Sequence, residues 1–189
     1  MSARADAILD TLLGIDPLSD LPRTGWLLRG VRPCESIADH SFAVTFLTML
    51  IVDALRADDI AVDGELALRM ALVHDTPEAR TGDVPMPNKT PAMSDALHTL
   101  ERSLAETLLP KRQREDWLEL ETGDSLESRI VKAADKIQMM LKALVYERQH
   151  RGALDEFWHN PRNFDARSLP IAEELFGAIC ARASRAVPR

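Results

Sequence analysis

Two histidines and two aspartates are spread along the chain in a pattern that could hold a metal ion. His40 lies on the apolar side of its predicted helix, and His74 with Asp75 ends a second, strongly apolar helix. Asp135 interrupts the apolar stripe of a third helix. Helical bundles build metal sites from such inward-facing side chains on separate helices. Because nitrogen and oxygen ligands occur without a thiolate, the set suits Mn, Fe, Co, Ni or Zn.

Each of these residues, taken alone, also has a purely structural interpretation. His40 could be a hydrogen-bonded core histidine, and His74-Asp75 could be a helix end followed by a capping aspartate. Asp135 could form a salt bridge to Lys132 or Lys136, a type of pair that contributes little when exposed. The metal hypothesis therefore depends on the four side chains meeting in space.

The elements that must position these residues are helices. Apolar residues recur at helical spacing, and the alternating pattern typical of strands is nearly absent. Ser36 with Asp39 resembles a capping box that opens the helix of His40. The sequence predicts an all-α bundle with helices at 6–13, 36–55, 63–74, 92–109, 110–123, 125–148 and 170–183.

The connections and helix faces can also be predicted. Residues 18–33 form a long loop, residues 81–91 a Gly/Pro-rich loop, and residues 150–169 an irregular segment. Apolar residues surround the 63–74 helix almost completely, which predicts a central helix buried on all sides. The long 125–148 helix has an apolar stripe of Ile130, Ala134, Ile137, Leu141 and Leu144.

Length and charge limit the classes of function. The chain has 189 residues, with 30 acidic and 23 basic side chains and a net charge of −7, which favours one domain over 1–189. Its densest basic run, residues 111–114, is followed by two acidic residues and reads as a solvated helix face, so no nucleic-acid polymer is expected as a partner. We see no secretory signal or sufficiently long apolar span, and expect a cytoplasmic protein without membrane contact.

Beyond the four candidate ligands, five short segments resemble a known family. They are residues 23–26 (RTGW), 35–40 (ESIADH), 72–78 (LVHDTPE), 82–83 (GD) and 132–135 (KAAD). In this order they are similar to the H…HD…D signature of the HD-domain metal-dependent phosphohydrolases, in their 5′-deoxynucleotidase branch. The resemblance extends from about residue 20 to 150 and implies an HD-domain helical bundle.

The resemblance implies roles for individual residues. His40, His74, Asp75 and Asp135 would bind one divalent ion (Mn, Co, Fe, Ni, Zn or Mg), which would activate water and polarise a phosphoryl oxygen. Glu78 and Asp83 would be the catalytic carboxylates. Structural alternatives are an exposed helix-end acid for Glu78 and a turn-forming aspartate for Asp83. Pro77 predicts a kink or a new helix start immediately before Glu78.

Substrate contacts are implied at Arg23, Trp26 and Lys89. The family's tryptophan is associated with excluding the ribose 2′-hydroxyl, whereas Trp26 could also be a packing anchor. In one bacterial branch the arginine immediately precedes the tryptophan, but Gly25 stands there in this chain. The phosphate role of Arg23 is therefore open, with Arg29, Arg32 or Lys89 as alternatives.

The implied activity is hydrolysis of deoxyribonucleoside 5′-monophosphates by a homodimer that takes a small nucleotide as its substrate. Two other functions stay open from the sequence. One is a different HD-type reaction, on a phosphodiester or a nucleoside triphosphate, and the other is a nucleotide-binding module without turnover. Five histidines in the whole chain leave few ligands for a second metal. We expect His98, His150 and His159 at the surface, and Cys34, Cys180, Trp117 and Trp158 in packing roles.

Overall fold

A computed structural model of the protein describes residues 2–85 and 90–188. Within these ranges the chain forms helices and no β-strand, apart from an isolated bridge between Pro22 and Ser36. This confirms the all-α prediction. Short 3₁₀ turns cover Asp16–Ser19 and Pro161–Phe164. The helices are α1 Ala3–Ile15, α2 Thr24–Leu27, α3 Ile37–Ala57, α4 Gly64–Val73, α5 Glu78–Thr81, α6 Pro91–Leu108, α7 Lys111–Thr122, α8 Leu126–Arg148, α9 Asp155–His159 and α10 Pro170–Arg182.

Helices α3, α4 and α8 pack against one another and form the centre of the core. Helix α7 packs against α4, and α10 packs against α8. The capping box predicted for α3 is present, because Ser36 accepts from the Asp39 N–H and Asp39 accepts from the Ser36 N–H. Apolar side chains of the three central helices, such as Val44, Met70 and Ile137, are buried together. These helices form the rigid frame of the site described below.

Two predictions about buried faces were wrong. Leu72 is 60% exposed and Leu141 is 46% exposed. Three helices pack on α4, but they leave the side that carries Leu72 open to solvent. In the second half of α8 the buried face passes through Met140 and Leu144, so Leu141 lies beside the stripe rather than on it. An apolar pattern marks helices that contribute to a core, but it does not show how many sides the neighbours cover.

The observed helices differ from the predicted ones in three places. The first helix runs past Gly14, whose missing side chain lets α1 approach α6, because a Cβ there would meet Leu108 at 3.3 Å. The predicted loop 18–33 contains α2, and the predicted irregular segment 150–169 contains α9.

Helix α3 has the length and hydropathy to cross a membrane, a test that the core helix of a globular protein also passes. Its packing on α4 and α8 is that of a core helix.

Candidate metal centre

Four side chains from separate parts of the chain converge beside the helical core. His40 Nε2 lies 3.3 Å from Asp135 Oδ1 and 3.6 Å from Asp75 Oδ2. His74 Nε2 lies 3.1 Å from the same Asp75 oxygen and 3.4 Å from His40 Nε2. Ligand atoms of His40, His74 and Asp135 all lie within 4.8 Å of one another. The structure thus brings together all four residues predicted as metal ligands.

Three central helices deliver these ligands. His40 lies in the first turn of α3, where the capping box fixes the start of the helix, and is fully buried. Helix α4 ends at Val73, so His74 and Asp75 project from its carboxyl end, while Asp135 projects from the middle of α8. The His74 ring is oriented by its Nδ1, which lies 2.8 Å from the Ala71 carbonyl oxygen. A proton on that Nδ1 leaves Nε2 free to bind a metal.

Glu78 lies close to the ligands although the helix breaks before it. Pro77 is the N-cap of α5, so a new helix begins at Glu78, as the proline predicts. Glu78 Oε2 is buried and has no hydrogen-bond partner among the described residues. Burial raises the pKa of Glu78 well above its ordinary value, and the neighbouring Asp75 carboxylate raises it further. This carboxyl group therefore holds a proton more readily than an exposed glutamate does.

Asp83 reaches the same place by way of Gly82, whose φ of 68° is a conformation that glycine adopts without strain. Asp83 Oδ2 accepts a hydrogen bond from the Gly25 N–H at 3.3 Å. Gly25, which stands where one bacterial branch of the resembled family has an arginine, thus holds Asp83 through its backbone N–H. Asp83 also lies 3.7 Å from Arg23 Nη1.

The guanidinium group of Arg23 forms ion pairs with three carboxylates. Its Nη1 lies 3.3 Å from Asp75 Oδ2 and 3.9 Å from Glu78 Oε2, besides the contact with Asp83. Burial lowers the pKa of Arg23, but these three carboxylates and that of Asp135 together outweigh burial and raise it. In this arrangement the guanidinium group acts as counter-ion to the acidic cluster, and it also lines the adjoining cavity.

Asp75 and Asp135 are held in their ionised form. Burial favours the neutral acid, but His74 and then Arg23 outweigh burial and lower the pKa of Asp75 below its usual range. For Asp135 burial is outweighed by Lys136, whose Nζ lies 3.2 Å from Oδ2, and by His40, so its pKa falls well below the ordinary value. The salt-bridge interpretation of Asp135 is thus realised in the same geometry as the ligand interpretation. Both carboxylates are in the form that binds a cation.

A cavity of about 270 Å³ opens beside the ligand cluster. Asp75, Glu78, Asp83 and Asp135 all contribute to its lining. Trp26 lines it as well, although the indole is only 2% exposed, stacks on Phe157 at 4.6 Å and donates from Nε1 to Glu35. Trp26 is therefore both a packing anchor and part of the cavity wall.

The other predicted phosphate contacts are distributed unevenly. Arg29 lines the cavity and pairs with Glu156. Arg32 is exposed, and Lys89 lies outside the described residues. Lys136 was foreseen only as a salt-bridge partner of Asp135, and its place in the cavity wall was missed. Its position directly after Asp135 was the available signal, but a charged residue on a helix usually indicates a solvated face.

Residues given no chemical role lie as predicted. His98, His150 and His159 are exposed, and the free cysteines Cys34 and Cys180 are partly and fully buried. Trp117 and Trp158 are buried. The Trp117 indole also donates a hydrogen bond of 3.1 Å to the His74 carbonyl oxygen, which fixes the end of α4. This contact was not foreseen, because it joins residues that are far apart in sequence.

The donor set fits a divalent metal ion. Two imidazole nitrogens and two ionised carboxylates would leave the first coordination shell of such an ion near neutral charge. Mixed nitrogen and oxygen ligands without sulfur suit the borderline transition metals. Glu78 Oε2, which accepts no hydrogen bond from the described residues, and the adjoining cavity leave room for water and a substrate beside the ion. The arrangement can therefore support metal-assisted hydrolysis.

Comparison with known proteins agrees with this chemistry. A family model described as HD domain matches residues 15–173. The human 5′-deoxynucleotidase HDDC2 is 34% identical over 162 residues, which cover 82% of this chain and 76% of the human protein. Two Saccharomyces cerevisiae 5′-deoxynucleotidases are 32% and 35% identical over 91% and 70% of this chain. The chain spans 67% and 63% of their respective lengths.

A solved structure has the same architecture. The crystal structure of the PH0347 protein from Pyrococcus horikoshii OT3 matches with a TM-score of 0.78 and 33% sequence identity. The match covers 93% of this chain and 98% of that chain.

Proposed function

The chain belongs to the HD-domain family, and we propose that it is a metal-dependent phosphomonoesterase that hydrolyses deoxyribonucleoside 5′-monophosphates to deoxynucleoside and phosphate. The observation that carries this proposal is the convergence of His40, His74, Asp75 and Asp135 beside a cavity that Glu78 also lines. The names of the human and yeast relatives support the same reaction.

The cofactor is a divalent metal ion held by the two histidines and two aspartates. When bound, such an ion lowers the pKa of a water ligand from about 16 to about 7 and polarises a phosphoryl oxygen. The ionised state of Asp75 and Asp135 prepares the site for a cation. The imidazole of His74 is already oriented by the Ala71 carbonyl group, which reduces the cost of binding.

The surrounding residues handle the proton and the phosphate. Glu78, whose pKa is raised and whose Oε2 accepts no hydrogen bond from the described residues, can pass a proton to the leaving 5′-oxygen. Asp83, held by the Gly25 N–H, can orient the attacking water. Lys136 and Arg23 supply positive charge beside the cavity, where a phosphate would lie. Attack of the water oxygen on phosphorus and cleavage of the P–O5′ bond then give the alcohol and inorganic phosphate.

The test is phosphate release from a panel of deoxyribo- and ribonucleoside 5′-monophosphates with Mn, Co, Ni, Zn and Mg ions. We expect turnover with at least one ion, faster for the deoxy substrates, and loss of turnover with a chelator. A triphosphate and a cyclic nucleotide in the same panel separate this activity from other HD-type reactions. No release from any monophosphate with any ion would overturn the proposal.

A free nucleotide rather than a polymer is the proposed substrate. The cations that line the cavity, Arg23, Arg29 and Lys136, suffice for one phosphate group but do not form the extended basic surface on which binding to a nucleic-acid backbone relies. Trp26 contributes to the proposed 2′-hydroxyl discrimination as a fixed wall, because its contacts with Phe157 and Glu35 prevent it from moving aside. An extra hydroxyl is then rejected sterically.

We also propose that two copies associate through α3. Phe42, Phe46 and Leu50 form a row at four-residue spacing and are 71%, 51% and 50% exposed. Large apolar side chains in such a row are typical of a surface that another protein covers. Light scattering should give twice the chain mass, and Phe46→Asp should shift it to the monomer. A monomeric wild type would contradict the proposal.

A cytoplasmic location is proposed as well. The two cysteines are unpaired thiols, which is the usual state in a reducing compartment, and the proposed substrates occur there. Fractionation of cells that express the tagged protein tests this, and recovery in a membrane or secreted fraction would contradict it.

A further inference from the structure

A row of buried polar side chains connects the cavity wall to one of the proposed metal ligands. Trp26 Nε1 donates to Glu35 Oε1 at 2.8 Å, and Gln138 Nε2 donates to Glu35 Oε2 at 3.0 Å. Gln138 Oε1 lies 2.6 Å from His40 Nδ1. The four residues are between 0% and 6% exposed. Because these polar groups are shielded from solvent, they must find their hydrogen-bond partners within the protein.

Glu35 determines which groups donate and which accept along this row, because an ionised carboxylate can only accept hydrogen bonds. Glu35 is paired with Lys142 at 3.5 Å and accepts from two other donors, as an ionised carboxylate does. Facing Glu35, Gln138 must present its NH₂ group, and its carbonyl oxygen is then turned toward His40. An acceptor at His40 Nδ1 requires the proton to be on that nitrogen. The opposite ring nitrogen, Nε2, then carries its lone pair on the side where Asp75, Asp135 and His74 converge, which is the side of the proposed metal centre.

We infer that Glu35 is a positioning residue that, through Gln138, fixes the proton of His40 on Nδ1 and so makes Nε2 available to the metal. This inference rests on the proposed metal centre. It assigns Glu35 a task at a ligand it does not touch, and the same carboxylate also holds Trp26 in the cavity wall. Partners of this kind commonly change metal affinity by ~10–100-fold when they are removed.

The decisive variant is Glu35→Gln, which keeps the shape but replaces one acceptor oxygen by a donor. Trp26 still needs the remaining oxygen, so the new NH₂ group faces the NH₂ group of Gln138. Gln138 is then expected to turn over and donate to His40 Nδ1, which moves the histidine proton to Nε2. We expect metal affinity, measured by calorimetry, to fall by ~10–100-fold.

A double variant should reverse this effect. In Glu35→Gln/Gln138→Glu the carboxylate moves one place along the row and accepts from both His40 Nδ1 and the new glutamine. The proton returns to Nδ1, and we expect metal affinity within about threefold of wild type. Tyr146→Phe is the matched control, since it removes the acceptor of the Glu35 backbone N–H without touching any hydrogen bond of the row.

Nitrogen NMR of the histidine rings provides a readout that does not depend on turnover. In chelator-treated protein at pH 9 we expect His40 to carry its proton on Nδ1 in the wild type and the double variant, and on Nε2 in Glu35→Gln. If Glu35→Gln does not fold, Gln138→Met serves instead. It removes the acceptor at Nδ1 and should weaken metal binding by a similar factor.

Two outcomes would overturn the inference. One is a folded Glu35→Gln with wild-type metal affinity and the proton on Nδ1, and the other is an equal loss of affinity in the single and double variants. The proposed function would fail differently, since wild-type protein would then not bind metal or would release no phosphate. The ring protonation of His40 can be read in either case.

Discussion

Two clusters of charged side chains in this protein differ in how the charge of their carboxylates is balanced. On α7, Asp116 is 1% exposed, and each of its oxygens is held by a separate arginine. Arg69 Nε lies 2.8 Å from Oδ2, and Arg112 Nε lies 3.2 Å from Oδ1. This buried carboxylate joins α7 to α4, and the chain's own cations balance its charge. This cluster is structural.

The metal centre has the opposite balance. Four carboxylates, those of Asp75, Glu78, Asp83 and Asp135, gather around one guanidinium group, and Lys136 adds a second cation at the edge. Glu78 is only weakly compensated: its Oε2 accepts no hydrogen bond from the described residues, Arg23 Nη1 lies 3.9 Å away, and burial and the neighbouring Asp75 raise its pKa well above the ordinary value. Negative charge in excess of what the chain neutralises indicates a place where an external cation binds.

Removing a ligand from the metal centre should have the largest effect. Asp135→Asn keeps the shape but deletes one negative charge and a metal-binding oxygen. We expect metal binding to be lost and phosphate release to fall to the level of chelator-treated wild type. Calorimetry with the preferred ion and a phosphate assay check this. The matched control is Asp116→Asn, which removes a buried carboxylate from the balanced cluster and should retain both properties.

The second effect concerns Glu78. We expect Glu78→Gln to lower kcat by ~10²–10⁴-fold, the usual contribution of a positioned acid or base. Its effect on stability should be favourable in chelator-treated protein. The folded-state pKa of Glu78 is raised, so the folded state binds this proton more tightly than the unfolded chain, and the ionised group destabilises the fold at neutral pH.

The direction of this effect on stability can be checked by varying pH. The destabilisation is present above the folded-state pKa and is relieved as pH falls through it toward the ordinary glutamate value. The melting temperature of Glu78→Gln should therefore exceed that of wild type at pH 7, and the difference should shrink toward pH 4.5. An apo variant less stable than wild type at pH 7 would show that Glu78 is compensated and that the two clusters do not differ as described.

The four ligands could be predicted from the sequence because each follows a local rule. His40 and Asp135 interrupt apolar stripes, and His74-Asp75 ends a helix, so spacing and capping rules are sufficient to notice them. The restart of the helix at Glu78 follows from Pro77 for the same reason. The all-α class follows from periodicity along the whole chain.

The balance of charge could not be predicted, because it depends on partners that only the fold brings together. Gln138 and Glu35 are 103 residues apart. Glu35 was noticed only within the family segment 35–40, and no role was assigned to Gln138. Asp116 follows a basic run that indicates a solvated helix face, yet it is buried. The exposure of Leu72 was missed for a related reason, since the pattern on one helix does not reveal which sides its neighbours leave open.

The third effect is on stability alone. Asp116→Asn leaves Arg69 and Arg112 without their anion, but both arginines can reach water, with 28% and 62% of their side chains exposed. We therefore expect a loss of ~1–3 kcal/mol in the free energy of unfolding, the range for losing a charged hydrogen-bond partner. For a chain of this size that corresponds to about 2–12 °C in melting temperature. Chemical denaturation measures the loss, and a comparable fall in kcat would contradict the separation of the two clusters.

The smallest effect distinguishes the two arginines. Arg69 joins α4 to α7, whereas Arg112 lies four residues before Asp116 on the same helix and is mostly exposed. We expect Arg112→Met to cost ~0.3–0.5 kcal/mol, as exposed pairs at this spacing do, and Arg69→Met to cost ~1–3 kcal/mol because it removes a charged hydrogen bond to a buried oxygen. Denaturant titration of both variants beside Asp116→Asn checks the order. If Arg112→Met is the more damaging, the balance of the cluster lies within α7, and Asp116 does not serve to join the helices.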